Sequence, residues 1–184
     1  AARRAAADVL SAWIVADPAH ARLGSPKRPF PPPELAPRDR AFARELAEGS
    51  VRRLRTLDRV LHVMTEGRKA RPAGLRAALL VAAWELIFGD SSQAHAVVHN
   101  AVNLARRAAG EGGARFANAI LRRLSAMPAL EDWIVPPASD ADADALADWF
   151  SLPSLVVERW TEAFGPESAR ALFEQSAARA TRCL

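Results

Sequence analysis

The sequence is short of several residue types, and each shortage excludes a class of protein. Its one cysteine, Cys183, can form no disulfide within the 184 residues, and no signal-peptide pattern is present. Both features favour a cytoplasmic location. The apolar stretch from Ala77 to Ala83 is far below the roughly 20 residues that a membrane-spanning helix needs. We therefore predict a protein without a membrane partner and without stabilising disulfides.

Complete catalytic and metal-binding patterns are also missing from the sequence. Cys183 has no neighbouring histidine in the sequence that would activate its thiol. The glycine-rich stretch 110–113 lacks the preceding strand and the Lys-Ser/Thr pair of a phosphate-binding loop, so we interpret it as a turn between helices. His95 and His99 have a spacing that can place two ligands on one zinc ion, but nothing completes the set, and we interpret them as surface or interface residues. The sequence predicts no catalytic residue, no metal and no cofactor in this chain.

Charge is distributed unevenly along the sequence. Residues 1–130 hold 21 Lys and Arg against 11 Asp and Glu, a balance of +10, whereas residues 131–184 hold 4 against 10, a balance of −6. Such an asymmetry indicates a region that faces nucleic acid beside a region with another role. A strongly positive field attracts phosphate backbones. We therefore predict a basic domain at 1–130 and an acidic segment at 131–184, with solvated helix faces in an arginine-rich composition as the alternative explanation.

Apolar residues recur at helical spacing along most of the sequence, which predicts an all-α fold. The element from Pro72 to Phe88 is apolar on almost every side and belongs at the centre of a helical bundle. No long stretch alternates as a half-buried strand does, although Thr181 to Leu184 is typical of the start of a strand. Two other helical regions are predicted over 3–16 and over 38–66, the second in two pieces that meet near Gly49. Two more helices are predicted from a cap at Asp90, Ser91 or Ser92 to Ala108, and over 114–126. The rest of the sequence predicts a linker at 136–144 that leads into an acidic helix, a helix opened by Pro153, and a last helix over 167–178.

Basic and amide side chains at helical spacing are the candidate nucleic-acid contacts. In the predicted helix 114–126 one outward face carries Arg115, Asn118 and Arg122, with Arg123 beside it. The first helix adds two further arginines, and the second piece of 38–66 carries another basic patch on one face. The predicted RNA-binding residues are Arg3, Arg4, Arg115, Asn118, Arg122 and Arg123, and the second basic patch is Arg52, Arg55 and Arg59.

Five segments in chain order resemble the NusB-like domain family. Ala36 to Arg52 is similar to the family's stretch that begins with Arg-Asp-Arg, and Leu57-Asp58 follows at the family's spacing. Arg76 to Phe88 resembles the helix with the Tyr-Glu-Leu motif, here Trp-Glu-Leu. Ala94 to Ala105 and Phe116 to Arg123 resemble the two following helices. The resemblance implies a NusB-like helical bundle that binds RNA.

The segment after this bundle resembles one subfamily in particular. Ser151 to Trp160, followed by Phe164-Gly165, is similar to the helical connector of the ribosomal RNA (cytosine-5)-methyltransferases. Thr181 to Leu184 occupies the place where those enzymes enter a strand. The resemblance implies a substrate-docking domain of a 16S rRNA (cytosine-5)-methyltransferase, not catalytic by itself, with S-adenosylmethionine bound by a further domain. The missing initiator Met and the end at Leu184 favour a piece of such a longer protein.

Two other functions stay open at this point. One is a free-standing NusB-type transcription antitermination factor, which would bind RNA and a ribosomal protein. The other is a helical protein-interaction module that self-associates through an apolar face around Trp84 or Val98.

Overall fold

The computed structural model describes residues 1–16, 23–24, 29–89, 93–138 and 141–178, and within these ranges it contains α-helices and no strand. The all-α fold is thus confirmed. The cap candidates Asp90, Ser91 and Ser92, the segment 181–184 and Cys183 lie outside the described residues. Among the described residues, no helix is both long enough and apolar enough to cross a bilayer. The helices are α1 (Ala2–Val15), α2 (Pro37–Arg52), α3 (Leu54–Met64), α4 (Ala73–Phe88), α5 (Ala94–Ala126), α6 (Ala143–Phe150), α7 (Ser154–Phe164) and α8 (Pro166–Ala177), with a 3₁₀ turn at Leu130–Asp132.

Helix α4 lies at the centre of the main hydrophobic core, as its sequence predicts. Every residue from Ala77 to Glu85 is buried. A helix that is apolar all round needs neighbours on every side, and α1, α2, α3 and α5 all pack against it. Trp84 and Val98 are only 6% and 8% exposed. The apolar face around them, considered above as a self-association surface, is therefore buried inside the chain.

The break between α2 and α3 falls at Arg53, not near Gly49 as predicted. Gly49 is buried within α2, and a Cβ built on it would lie 2.3 Å from Cε2 of Trp84. This glycine is thus a close-packing position in a continuous helix. At the break, the guanidinium of Arg53 lies 4.7 Å from the ring centroid of Phe88 and donates a hydrogen bond of 2.6 Å to the carbonyl of Ala177.

Helix α5 is kinked at Ala109 and Gly110. Gly110 has φ 65°, a left-handed conformation that favours glycine, and Ala109 has φ −144°. The turn is therefore shorter than the predicted 110–113, because only Ala109 and Gly110 depart from helical geometry and the helix resumes at residue 111. Residues 94–108 and 111–126 run antiparallel and together line a groove, which is described below.

Two close approaches fix the relative directions of the core helices. Arg3 in α1 binds Glu85 near the end of α4, while Ser11 and Ala108 both lie beside Gly74 at the start of α4. Helix α1 is therefore antiparallel to α4, and so is the segment 94–108. The end of the bundle that contains Gly74 is called the kink end below.

The last three helices form a smaller unit with its own apolar cluster. Val157, Ala169 and Phe173 are buried there, and the Phe173 ring lies 6.0 Å from that of Trp160 in a stacked arrangement. At the start of α6, the Asp142 carboxylate accepts a hydrogen bond of 2.7 Å from the backbone N–H of Ala145, a typical N-cap. This three-helix unit, 143–177, is called the connector below.

Candidate nucleic-acid interface

The second segment of α5 places three of the predicted basic residues on the surface. Arg115, Arg122 and Arg123 are exposed, and Asn118 between them is half-buried. Arg115 and Arg122 are seven positions apart, which places their Cα atoms about 10 Å apart along the helix axis. Within the described ranges Arg115 and Arg122 have no ion pair or hydrogen-bond partner for their side chains. Their charges are therefore available to an external anion. These three arginines and Asn118 are called the α5 face below.

A groove of about 360 Å³ runs between the two segments of α5. Asn118 and Arg122 line one wall, and His95 and His99 line the other. The Nε2 atom of His99 lies 3.0 Å from Nδ2 of Asn103, on the following turn of its helix. The two histidines thus share a polar groove with predicted RNA-binding residues. In the part of the chain that the structure describes, no group of three or more His, Cys, Asp or Glu is placed to hold a metal ion.

Arg123 is held over an indole ring beside the groove. Its guanidinium lies 5.5 Å from the ring centroid of Trp133, and the indole Nε1–H donates a hydrogen bond of 2.8 Å to the carbonyl of Met127. The cation–π contact restricts the arginine while leaving it exposed. A preorganised arginine loses less side-chain entropy when it binds a phosphate.

The two arginines of α1 lie in different environments. The Arg3 guanidinium binds the carboxylate of Glu85, with a distance of 2.7 Å from Nε to Oε2, and it lies 5.2 Å from the Phe42 ring centroid. The Glu85 side chain is 1% exposed, so Arg3 neutralises a buried charge. Arg4 is exposed and only loosely paired with Asp8 at 3.6 Å. Of the two, Arg4 is the one whose charge faces solvent.

The second predicted patch, Arg52, Arg55 and Arg59, is divided by the break at Arg53. Arg52 ends α2 and is exposed, whereas the other two lie on α3. Arg55 donates hydrogen bonds to Asp148 at 2.6 Å and to Asp144 at 3.0 Å, both on α6. Arg59 lies 3.7 Å from Asp148. The acidic segment of the sequence thus pairs with Arg55 and Arg59, while Arg52 stays exposed.

The Arg55 network fixes the connector on α3. Burial lowers the pKa of Arg55, but the hydrogen bonds to Asp148 and Asp144 outweigh it, and the net shift is upward. Hydrogen bonds from the Ser154 hydroxyl and from Arg55 lower the pKa of Asp144. Two more bonds extend the contact: the backbone N–H of Arg55 donates to Ser151 at 3.1 Å, and the Thr56 hydroxyl donates to the carbonyl of Trp149 at 3.2 Å.

Removing the Arg55 side chain is expected to loosen the connector without unfolding the bundle. Arg55→Ala removes hydrogen bonds that are assisted by charge, and we expect local opening of 143–177 to become easier by about 1–2 kcal/mol. Hydrogen exchange followed by mass spectrometry measures this as faster exchange in α6–α8. Arg159→Ala removes the same charge from an exposed position on α7 and serves as the control. Unchanged exchange in 143–177 for Arg55→Ala would contradict the role given to this network.

One basic cluster was missed by the reasoning from sequence. Arg68, Lys69 and Arg71 line a cleft at the kink end, together with Arg76. Their close spacing in the sequence is a signal of the kind that marks basic nucleic-acid patches.

The fold and the surface define an all-helical bundle with an exposed arginine face. Residues 1–126 match the NusB family, and the chain belongs to this family. It therefore contains a NusB-type RNA-binding domain.

Two relatives with different names are similar to this chain. A probable ribosomal RNA small subunit methyltransferase B from Synechocystis sp. is 30% identical over 146 residues, covering 77% of this chain and 32% of that protein. A transcription antitermination protein NusB from Heliobacterium modesticaldum is 37% identical over 87 residues, covering 46% of this chain and 42% of that protein. The matched region thus spans less than half the length of either relative.

Proposed function

We propose that this chain docks ribosomal RNA for a 16S rRNA (cytosine-5)-methyltransferase and has no catalytic role itself. The α5 face, with Arg4 as an additional contact, would hold the phosphate backbone. Methyl transfer from S-adenosylmethionine would be the work of a domain outside this sequence. Arg3 and Arg55 are left out of the interface because their guanidinium groups are bound to Glu85 and to Asp144 and Asp148.

The observation that carries the proposal is the set of exposed arginines on a rigid helix. Arg115 and Arg122 have no side-chain partner among the described residues, and Arg123 is oriented by Trp133. Folded RNA is recognised largely by its shape and by contacts to phosphates and 2′-hydroxyls. Arginines at fixed positions along a helix suit this kind of recognition better than a base-reading pocket does.

The methyltransferase part of the proposal is supported by how far the similarity extends. The match to the Synechocystis methyltransferase covers 77% of the chain, and the match to NusB of Heliobacterium covers 46%. The connector helices also pack on α3 as an ordered unit. A free-standing antitermination factor that binds RNA and a ribosomal protein is the second candidate, favoured by the higher identity of the shorter match.

RNA binding is tested by removing two charges from the α5 face. We expect Arg122→Ala with Arg123→Ala to weaken binding of a 16S rRNA fragment and to lower its salt slope by about 1–2 units, because two phosphate contacts are lost. Filter binding at several salt concentrations gives both quantities. The control is Arg44→Ala with Arg159→Ala, which removes the same charge from exposed positions on α2 and α7. Equal affinity and equal salt slope in the two double variants would count against the proposal.

The two candidate functions are separated by a second measurement. A methyltransferase that carries the α5-face substitutions is expected to methylate 16S rRNA with a raised KM. An antitermination factor would instead show a loss of RNA-dependent binding to a ribosomal protein, and no methylation would depend on the chain.

A further inference from the structure

The connector contains a groove of about 490 Å³ between the start of α6, the middle of α7 and the start of α8. Its floor is apolar and takes one residue from each of the three helices: Leu146, Val157 and Phe173. All its lining residues lie at position 141 or later, outside the residues 1–126 that match the NusB family. This site is called the connector groove below.

The rim of the connector groove has two carboxylates that are free to bind a cation. Glu158 and Glu162 line one wall and are exposed. They are four positions apart on α7, which is about 6 Å along the helix axis. Among the described residues, neither carboxylate has an ion pair or a hydrogen-bond partner. In this they differ from Asp148 of the same connector, which is bound to Arg55.

The one arginine that lines the groove is engaged elsewhere. Arg170 lies 5.8 Å from the ring centroid of Phe150 and donates a hydrogen bond of 3.3 Å to the carbonyl of Pro137. Its Nε atom also lies 3.5 Å from the carboxylate of Glu174. Arg170 therefore leaves the two rim carboxylates unpaired. Their negative charge repels a phosphate backbone and favours a basic occupant.

The surface continues beyond the groove along the exposed face of α7. Leu155 is 62% exposed, and it lies three positions before Glu158 and seven before Glu162, which places the three side chains on one side of the helix. An apolar groove beside a stripe of one leucine and two carboxylates matches one side of an amphipathic helix. Such helices insert apolar side chains into a groove at a spacing of three and four residues.

We propose that the connector groove docks an amphipathic helix of a partner protein. An aliphatic side chain of that helix would lie on Val157 and Phe173, and two Lys or Arg residues one turn apart would pair with Glu158 and Glu162. The aliphatic stems of those basic residues also suit the apolar surface at Leu155. This protein-binding surface is separate from the α5 face, and the proposal does not depend on the proposed RNA-binding function.

The charge of the rim is tested with a synthetic helix and the full 184-residue chain. The probe is a labelled peptide of about 18 residues, long enough to form a helix, with leucines at a spacing of three and four and lysines beside them. Fluorescence anisotropy compares it with a peptide of the same composition in shuffled order. We expect Glu158→Gln with Glu162→Gln to weaken binding of the ordered peptide about fivefold.

The matched control is Glu131→Gln with Asp132→Asn, which removes the same charge from exposed positions outside the connector. We expect it to change the affinity less than about twofold. Thermal melts verify that each variant folds. An equal loss in both double variants overturns the proposal, and so does a shuffled peptide that binds as tightly as the ordered one.

Exchanging the charges distinguishes a lost contact from a damaged fold. Glu158→Lys with Glu162→Lys should lose the lysine peptide and gain a peptide in which glutamates replace the lysines, because the sign of the rim is reversed. A gain of binding requires an intact groove. If the reversed variant binds neither peptide, the pairing assigned to Glu158 and Glu162 is wrong.

The place of the apolar anchor is tested without changing a charge. Thr161 lines the groove and is half-buried, so Thr161→Trp should fill the space and weaken binding of the lysine peptide about tenfold. Hydrogen exchange should show that the peptide protects residues 143–173 and not 94–126. Protection confined to residues 1–126 contradicts the site. Displacement of the peptide by a 16S rRNA fragment, or self-association of the chain that the two glutamine substitutions abolish, would give the groove another occupant and overturn the proposal.

Discussion

Replacing Arg3 with methionine is expected to lower the free energy of unfolding by about 3–5 kcal/mol, because a buried carboxylate then loses its partner. Glu85 is 1% exposed and its two oxygens are bound by the Arg3 guanidinium. Methionine keeps most of the side-chain volume over Phe42, so the loss reports mainly on the charge. Urea denaturation followed by circular dichroism measures it.

Two further variants make the Arg3 result interpretable. Arg4→Met removes an exposed arginine one position away, and we expect a change within about 0.5 kcal/mol. Arg3→Met combined with Glu85→Met replaces the pair with apolar side chains and should recover most of the lost stability. If Arg3→Met costs no more than Arg4→Met, Glu85 does not depend on Arg3.

Gly49→Ala is expected to destabilise the protein by about 1–3 kcal/mol or more, although alanine is the better helix former by about 1 kcal/mol. The steric effect decides the sign, because the added Cβ would lie 2.3 Å from Cε2 and 2.5 Å from Cζ2 of Trp84. The indole is buried and cannot move away cheaply. Thermal and urea unfolding both measure the change.

A second glycine provides the control for Gly49→Ala. Gly112 is an exposed helical residue with nothing within 4 Å of an added Cβ, so Gly112→Ala should stabilise the protein by up to about 1 kcal/mol. Opposite signs for the two substitutions are the expected result. Two stabilising substitutions would show that the indole has room to move.

The helices could be predicted from the sequence because their signals are local. The apolar spacing of α1 and the all-round apolar character of α4 need only neighbouring residues to be recognised. From the sequence alone Gly49 predicts a helix break, because glycine is unfavourable within a helix. Its function depends instead on Trp84, which is distant in the sequence, and no local pattern records such a contact.

The same distinction explains the outcome for the basic residues. Arg115, Arg122 and Arg123 lie on one helix, and periodicity alone brings them to a common region of the surface. Arg3 and Arg55 also match the pattern of surface arginines, but their partners, Glu85 and Asp148, are 82 and 93 positions away. Their roles depend on how the helices pack against each other, and a local sequence pattern does not record this packing.

The docking of the connector on α3 has a mechanical consequence. One attachment joins Arg55 to Asp148 and Ser151, where α6 ends, and a separate attachment joins Arg53 to Ala177 at the last residue of α8. A unit attached at one point can rotate about that point, whereas a second attachment restricts this rotation. We therefore expect the connector to move together with the bundle, so that a rotation of the chain at Arg53 and Arg55 also moves the end of α8.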